Sequence, residues 1–318
     1  MKIFVTGATG VIGRRLVPIL HEAGHDVTAV SRSLARRGEL ERAGAQVVSL
    51  DLFNASAVRR AIAGHEIVIN LATHIPHSST QMLLPWAWRE NDRIRRVASR
   101  VLVDACAGTG VHRFIQESFA PIYPDRGGQW IAETTPIAPS SYNRTIADAE
   151  AATLSFSHAE RAGVVLRFGA FYGPDATQLR DLASWIKRGW APLPGAPEAY
   201  VSSVSHDDAA TAVAAALAVP PGTYNVVDDE PVTHRAFVDS LADALGVRHP
   251  RLPPRWITPL LGSPGEMLAR SLRISNRKLR ATSTWLPAFP NVRQGWTYAV
   301  AGLRDSQNES HVTLHPTT

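Results

Sequence analysis

A doubly wound α/β fold, with a parallel sheet covered by helices on both faces, is what this sequence predicts, on three observations. Short apolar runs alternate with amphipathic helical stretches through the first half of the chain. A glycine-spaced turn follows the first of those runs. Past Pro174 the alternation gives way to prolines, tryptophans and helices that follow one another without a strand between them.

The elements follow in order. KIFVT, at residues 2–6, is a short apolar run ending in glycine and reads as a buried strand. Val11, Ile12, Leu16, Val17 and Leu20 then recur at helical spacing until Gly24 closes the helix. HDVTAVSRS is a second strand, and strand-like runs return at AQVVSL, EIVINLA, HRFIQES, VVLRFG and YNVV. Helical segments such as ASAVRRAIAG and RVASRVLVDACAGTG separate most of them, which is the signature of parallel pairing by crossover. The expected layout is a first domain over residues 1–175, to which the chain returns around 204–228. A smaller, mostly helical substrate-binding part over 176–305 walls a cleft at the strand carboxyl ends, and a polar, disordered tail covers 306–318.

At 318 residues with 45% hydrophobic side chains the chain can bury a large core. The amino terminus, MKIFVTGATG, lacks the pattern of a signal peptide, and no run reaches the length of a membrane span. One cysteine, Cys106, leaves no internal disulfide and no cysteine metal cluster, which fits a reducing cytoplasm. The charge of +5 is mostly arginine, scattered in pairs, and Arg93, Arg96 and Arg100 fall on one helix face as solvated groups do. No contiguous basic stripe marks a nucleic-acid surface.

TGATGVIG places Gly7, Gly10 and Gly13 directly after the first strand and at the start of the first helix. The first glycine permits a tight turn, the second a close backbone approach to a pyrophosphate, and the third close helix packing, with the helix amino terminus facing the anion. The spacing predicts a Rossmann-type dinucleotide site rather than a purely structural turn, with Thr9, Val11 and Ile12 in the same turn. Where an NAD-preferring chain carries an acid after the second strand, this one has Ser31 and Arg32. A guanidinium there suits a 2′-phosphate, so NADP is expected over NAD, with Arg36 and Arg37 as possible helpers or a plain solvated turn. Asp51, followed by Leu52, is placed either to accept from the adenine amino group or to cap a helix.

Together these stretches resemble the extended or atypical short-chain dehydrogenase/reductases, the NAD-dependent epimerase/dehydratase family, over nearly the whole chain up to about Val300. The resemblance is carried by TGATGVIG, Asp51-Leu52, NLA at Asn70 to Ala72, Asn91, LRFGAFYGP, VSHDDAATA and YNVVDDEPVT. It implies further cofactor contacts from Leu71, Ala72, Thr73, Tyr142 and Phe168, a small-molecule substrate, and a homodimer built from the helices around 91–107 and 142–162. One such fold hosts many reactions, so the chemistry rests on individual residues.

In that family a Tyr-x-x-x-Lys pair handles the proton. Tyr142 matches the tyrosine and Glu150 an acid that often follows it, but Ile146 stands where the lysine belongs. Lys2, Lys187 and Lys278 are the only lysines, and none has a tyrosine four places before it. The family's catalytic serine or threonine falls on Phe119 when Tyr123 is the landmark; Ser118, next door, reaches the site only if a bulge shifts the strand register. A free phenol titrates near pH 10, so about one molecule in a thousand is phenolate at pH 7. Apolar neighbours do not lower that value. Tyr142 is thus expected to give a proton rather than take one, which favours reduction of a carbonyl or enone by NADPH, with Ser118 or Tyr123 polarising the oxygen. The alternatives are an NAD-dependent sugar epimerase or dehydratase and a non-catalytic NADP(H) sensor. His74 with His77 is a weak metal pair, and Ser205-His206-Asp207 is a triad only in sequence, because catalytic triads converge in space.

Overall fold

The computed structural model describes residues 1–76, 81–141 and 143–312. Seven strands form one parallel sheet: β1 (Lys2–Thr6), β2 (Asp26–Val30), β3 (Gln46–Val48), β4 (Ile67–Asn70), β5 (Arg113–Phe119), β6 (Ala162–Phe168) and β7 (Gly222–Val226). Their order is β3-β2-β1-β4-β5-β6-β7, and each corresponds to one of the seven apolar runs in the sequence. The chain moves outward in opposite directions from β1, so the loops leaving β1 and β4 diverge and open a crevice at the strand carboxyl ends.

Alternation along the strands builds two cores. Ile3, Val5, Ile67, Ile69 and Ile115 face helices α1 (Gly13–Glu22) and α8 (His206–Ala215). Phe4, Val68 and Phe114 face α3 (Ala55–Ile62), α5 (Ser99–Ala105) and α6 (Thr145–Ser155). Strands buried on both faces need apolar side chains at odd and even positions, which is why these runs are continuous rather than alternating. Helix α2 (Leu34–Arg42) lies between β2 and β3, and α4 (Arg89–Arg93) leads through a π-helical turn (Ile94–Ala98) into α5.

The remaining helices, α7 (Thr177–Lys187), α9 (His234–Leu245), α10 (Gly262–Ala269), α11 (Arg277–Thr282) and α12 (Val292–Val312), lie on the carboxyl-terminal side of the chain. A third core joins Leu179, Ile186, Val238, Leu241, Trp296 and Val300. Helix α12 continues to Val312, past residue 306, where the polar tail is expected to begin. No helix among the described residues is long and apolar enough to cross a membrane.

The two parts meet at the start of α8. His206, 3% exposed, gives its Nδ1–H to Asp175 at 2.9 Å, while Arg15 holds Asp175 at 2.8 Å and Asp207 at 2.6 Å. Ser205 caps α8 by accepting from the Asp208 amide, so the Ser-His-Asp neighbours serve three separate partners. Burial, with Arg15 and Arg14 nearby, lowers the His206 pKa to about 3 from 6.5. The unfolded chain therefore takes up this proton first, and the contribution of neutral His206 is complete above pH 6.5 and lost as pH falls toward 3. Thermal melts recorded from about pH 7 to 4 should show the melting temperature falling, and His206→Gln should flatten that fall.

Candidate active site

The glycine turn takes the form that its spacing demands. Gly7 has φ of +69°, and a Cβ there would run into the backbone of Leu71 and Ala72. A Cβ on Gly13 would strike the Gly7 carbonyl and the Ala8 backbone, so α1 packs against the turn only because that residue is glycine. The amides of Val11, Ile12 and Gly13 donate to no backbone carbonyl among the described residues. They are the orphan donors of a helix start, ready for an anion.

Asn70 explains the NLA stretch. Its Oδ1 accepts from Thr6 Oγ1 at 2.5 Å and from the Ala72 amide at 3.2 Å, while its Nδ2 donates to Gln116 at 2.9 Å and Ser99 at 3.2 Å. One buried side chain thus ties β1, β4, β5 and α5 together and fixes the path of Leu71, Ala72 and Thr73 beside Gly7.

Arg32 is exposed at the end of β2 and lines a cavity of about 380 Å³ together with Ser49, Leu50, Asp51, Phe53, Glu90 and Arg93. The Arg93 guanidinium lies 3.7 Å from the centre of the Phe53 ring. Ser31 is buried and turns its hydroxyl toward Ser33, accepting from its amide at 3.3 Å. Arg36 reaches across to the Thr9 carbonyl at 2.6 Å, over the glycine turn, whereas Arg37 pairs with Glu41 at the surface. Asp51 accepts from the Phe53 amide at 3.0 Å, and the cap of α3 is Asn54.

Three expected site residues are placed otherwise. Ser118 lies on the side of β5 away from Phe119; it is 1% exposed and gives its proton to Glu150 at 2.5 Å. Tyr123 is fully buried, donating to Asn225 at 2.8 Å and accepting from Arg167 at 2.7 Å. Arg167 holds Glu150 with two bonds of 2.8 and 2.6 Å, completing the buried chain Ser118–Glu150–Arg167–Tyr123–Asn225. Burial raises the Tyr123 pKa to about 12 despite the adjacent guanidinium. Both hydroxyls are spent inside the protein, which corrects their assignment as carbonyl-polarising groups. Phe168 is completely buried and packs on Phe171, with ring centres 5.3 Å apart, so its side chain has no surface for a cofactor.

Tyr142 and His77 lie outside the described residues. Ile146, on the first turn of α6, is 1% exposed. No other lysine takes its place: Lys278 donates to the Thr223 carbonyl and sits over the Tyr224 ring, and Lys187 ends α7. His74 is anchored by its amide on Asn91, and no group of three or more His, Cys, Asp or Glu among the described residues is arranged to hold a metal ion.

Glu117, a polar residue that the sequence already places near the cleft, has a buried partner that the sequence does not single out, Arg95. Gln116 is the last β5 residue paired with β4, so Glu117 begins the stretch that faces the crevice. Glu117 and Arg95 are 7% and 6% exposed, with Glu117 Oε1 3.7 Å from an Arg95 nitrogen. Desolvation raises the Glu117 pKa and Arg95 only partly counters it. Arg95 is easily lost in the arginine-rich helix. The available signal was that it falls off the exposed stripe formed by Arg93, Arg96 and Arg100.

Comparison with known proteins agrees with this architecture. The family model described as "NAD dependent epimerase/dehydratase family" matches residues 3–226. A Streptomyces protein named 3-diazoavenalumate denitrifying reductase is 32% identical, covering 93% of this chain and 99% of its own. A 2-alkyl-3-oxoalkanoate reductase from Stenotrophomonas maltophilia is 30% identical over 77% of this chain and 76% of its own. Among solved structures, a human epimerase family protein with NADPH superposes with a TM-score of 0.77 at 20% identity, covering 94% of this chain and 99% of that one. Thermus thermophilus UDP-glucose 4-epimerase in complex with NAD gives 0.75 at 26% identity, covering 96% and 99%.

Proposed function

Because the chain belongs to the NAD dependent epimerase/dehydratase family, we propose that it is an NADPH-dependent reductase of a carbonyl or enone in a small or medium-sized metabolite. One observation carries the direction of the reaction: Ile146 is buried where the family's lysine would stand, and no other lysine replaces it. When bound, the nicotinamide supplies the hydride. The chain must bind and orient the two reactants and place a hydrogen-bond donor at the substrate oxygen. A neutral Tyr142 phenol meets that requirement, but without an ammonium beside it it is a poor base for the reverse reaction. The same argument counts against epimerisation, whose first step removes a proton from an alcohol. The names of two relatives, both reductases, support the reading.

NADP is the favoured cofactor because Arg32 lines the cavity at the end of β2 where an acid would mark NAD, and Arg36 reaches over the glycine turn beside it. Arg32→Asp should weaken NADPH binding by about 10- to 100-fold and leave NADH nearly unchanged, the loss of one or two charge-assisted hydrogen bonds. Titration by nicotinamide fluorescence reads both constants. A homodimer through the helices around the π-helical turn and α6 is supported by Val97 on that turn and Leu154 on α6, both apolar and exposed.

A second reading is favoured by the denitrifying reductase, which this chain matches along almost its whole length. Hydride added to an aromatic diazonium ion yields the arene and dinitrogen with atoms and charge balanced, and no proton has to be delivered. A site with Phe119 and Ile146 in the serine and lysine positions is compatible with such a step.

The test compares wild type with Tyr142→Phe on a panel of ketones, enones and an arenediazonium salt, in both directions. Carbonyl reduction should fall by about 10²- to 10⁴-fold in the variant. Alcohol oxidation should be slow in wild type already. Undiminished carbonyl reduction by Tyr142→Phe would remove the phenol from the chemistry.

A further inference from the structure

Arg95 is 6% exposed, yet it donates no hydrogen bond among the described residues, and its nearest anion, Glu117, stands at 3.7 Å, outside bonding range. Glu117 Oε2 is buried without a partner. Asn91, four residues before Arg95 and so on the same helix face, is fully buried; its Oδ1 is held by the His74 amide and its Nδ2 has no partner. A guanidinium, an amide and a carboxyl are therefore gathered at the crevice end of β5, next to the loop leaving β4, with Asn91 Nδ2 and Glu117 Oε2 buried and unbonded and Arg95 held only by a long ion pair to Glu117. Polar atoms taken from water without new bonds, as Asn91 Nδ2 and Glu117 Oε2 are, destabilise a fold unless something else satisfies them.

We propose that Asn91, Arg95 and Glu117 form a subsite for the carboxylate of an organic-acid substrate. The Arg95 fork matches two carboxylate oxygens, and Asn91 Nδ2 adds a third donor. Glu117 then completes the site in its protonated form, because a second carboxylate brought against it disfavours its charged form; its proton bridges to the bound acid. A phosphate would bring a second charge against Glu117, so the geometry selects a monoanion. The π-helical turn that contains Arg95 is the kind of helix irregularity that functional sites use, and it carries Arg95 inward while Arg93 and Arg96 remain at the surface.

The charged groups facing Glu117 are Arg95 from the helix and Glu150 from α6; burial and Glu150 favour its protonated form and Arg95 opposes it. Binding of an acid thus takes up a proton when Glu117 begins ionised. Affinity falls as pH rises above the Glu117 pKa of the free protein, by up to about tenfold per pH unit.

The subsite rests on reading the cleft as a substrate site, so its test measures binding and not turnover. NADP-saturated protein is titrated calorimetrically with acetoacetate and with cinnamate, each beside its neutral methyl ester, in buffers of different ionisation enthalpy. Wild type should bind at least one acid about tenfold or more tightly than its ester, with proton uptake at the higher pH. Arg95→Met should erase the preference for the acid, Asn91→Leu should weaken it, and Glu117→Gln should keep it but lose the proton uptake. Melting temperature and NADP affinity report whether each variant is folded. Should Arg95→Met not fold, the proton count in Glu117→Gln decides. The proposal is overturned if neither acid outbinds its ester in wild type, if the preference survives in folded Arg95→Met, or if proton uptake survives in Glu117→Gln. Carbonyl reduction without any acid preference would end this inference and leave the reductase standing.

Discussion

Gly7→Ala is expected to abolish NADPH binding. The backbone at residue 7 has φ of +69°, a region that costs a residue with a Cβ about 1–2 kcal/mol before any contact is counted. The new methyl would also meet the main chain of Leu71 and Ala72, which Asn70 pins from behind by its bond to the Ala72 amide. A flexible side chain could move aside, but a backbone tied to β1, β4 and β5 cannot do so cheaply. The turn must open, and with it the free amides of Val11, Ile12 and Gly13 leave the place proposed for the pyrophosphate. Affinity should fall by at least about 100-fold, about 2.7 kcal/mol. Nicotinamide fluorescence measures it, with circular dichroism as the control for folding.

Arg167→Met should be the most destabilising single change in the buried network. Arg167 gives Glu150 two hydrogen bonds and Tyr123 one, all beneath the surface. Removing it leaves the Glu150 carboxyl in a low-dielectric site with Ser118 as its remaining donor. Breaking one side of such a pair typically costs about 3–5 kcal/mol. Ser118→Ala removes one bond of the same network and should cost only about 1–2 kcal/mol. Urea unfolding of the two variants separates these values. A catalytic serine would show the opposite pattern, with little loss of stability and a large loss of rate, so the same pair also tests the correction made for Ser118.

Much of this was legible in the sequence, for reasons that lie in local physics. Seven apolar runs became the seven strands of the sheet because strands covered on both faces need apolar side chains at every position. Gly7 and Gly13 were legible because a left-handed turn and a close helix approach admit no other residue. The empty lysine position at Ile146 was legible by counting, since the chain has three lysines. What escaped was long-range pairing. Tyr123 reads as an available phenol until Asn225 and Arg167, 102 and 44 residues away, are seen to consume its hydroxyl. Strand alternation suggested that Ser118 points away from Phe119, but only the structure shows Glu150 waiting there. Glu117 was legible as a polar residue near the cleft, but its partner Arg95 escaped because composition does not distinguish a buried arginine from its solvated neighbours.

In the proposed reaction this chain brings a reduced nicotinamide to an electron-poor substrate and works in that direction without a lysine. The most direct measurement supplies NADPH deuterated at the transferring position of the ring, together with the carbonyl and diazonium panel, and follows the products by mass spectrometry. The expected product carries one deuterium on carbon, formed in step with NADPH consumption, with negligible exchange from the corresponding alcohol and NADP. Tight NADPH binding with no deuterium in any product, or efficient alcohol oxidation near neutral pH, would contradict the proposed reaction.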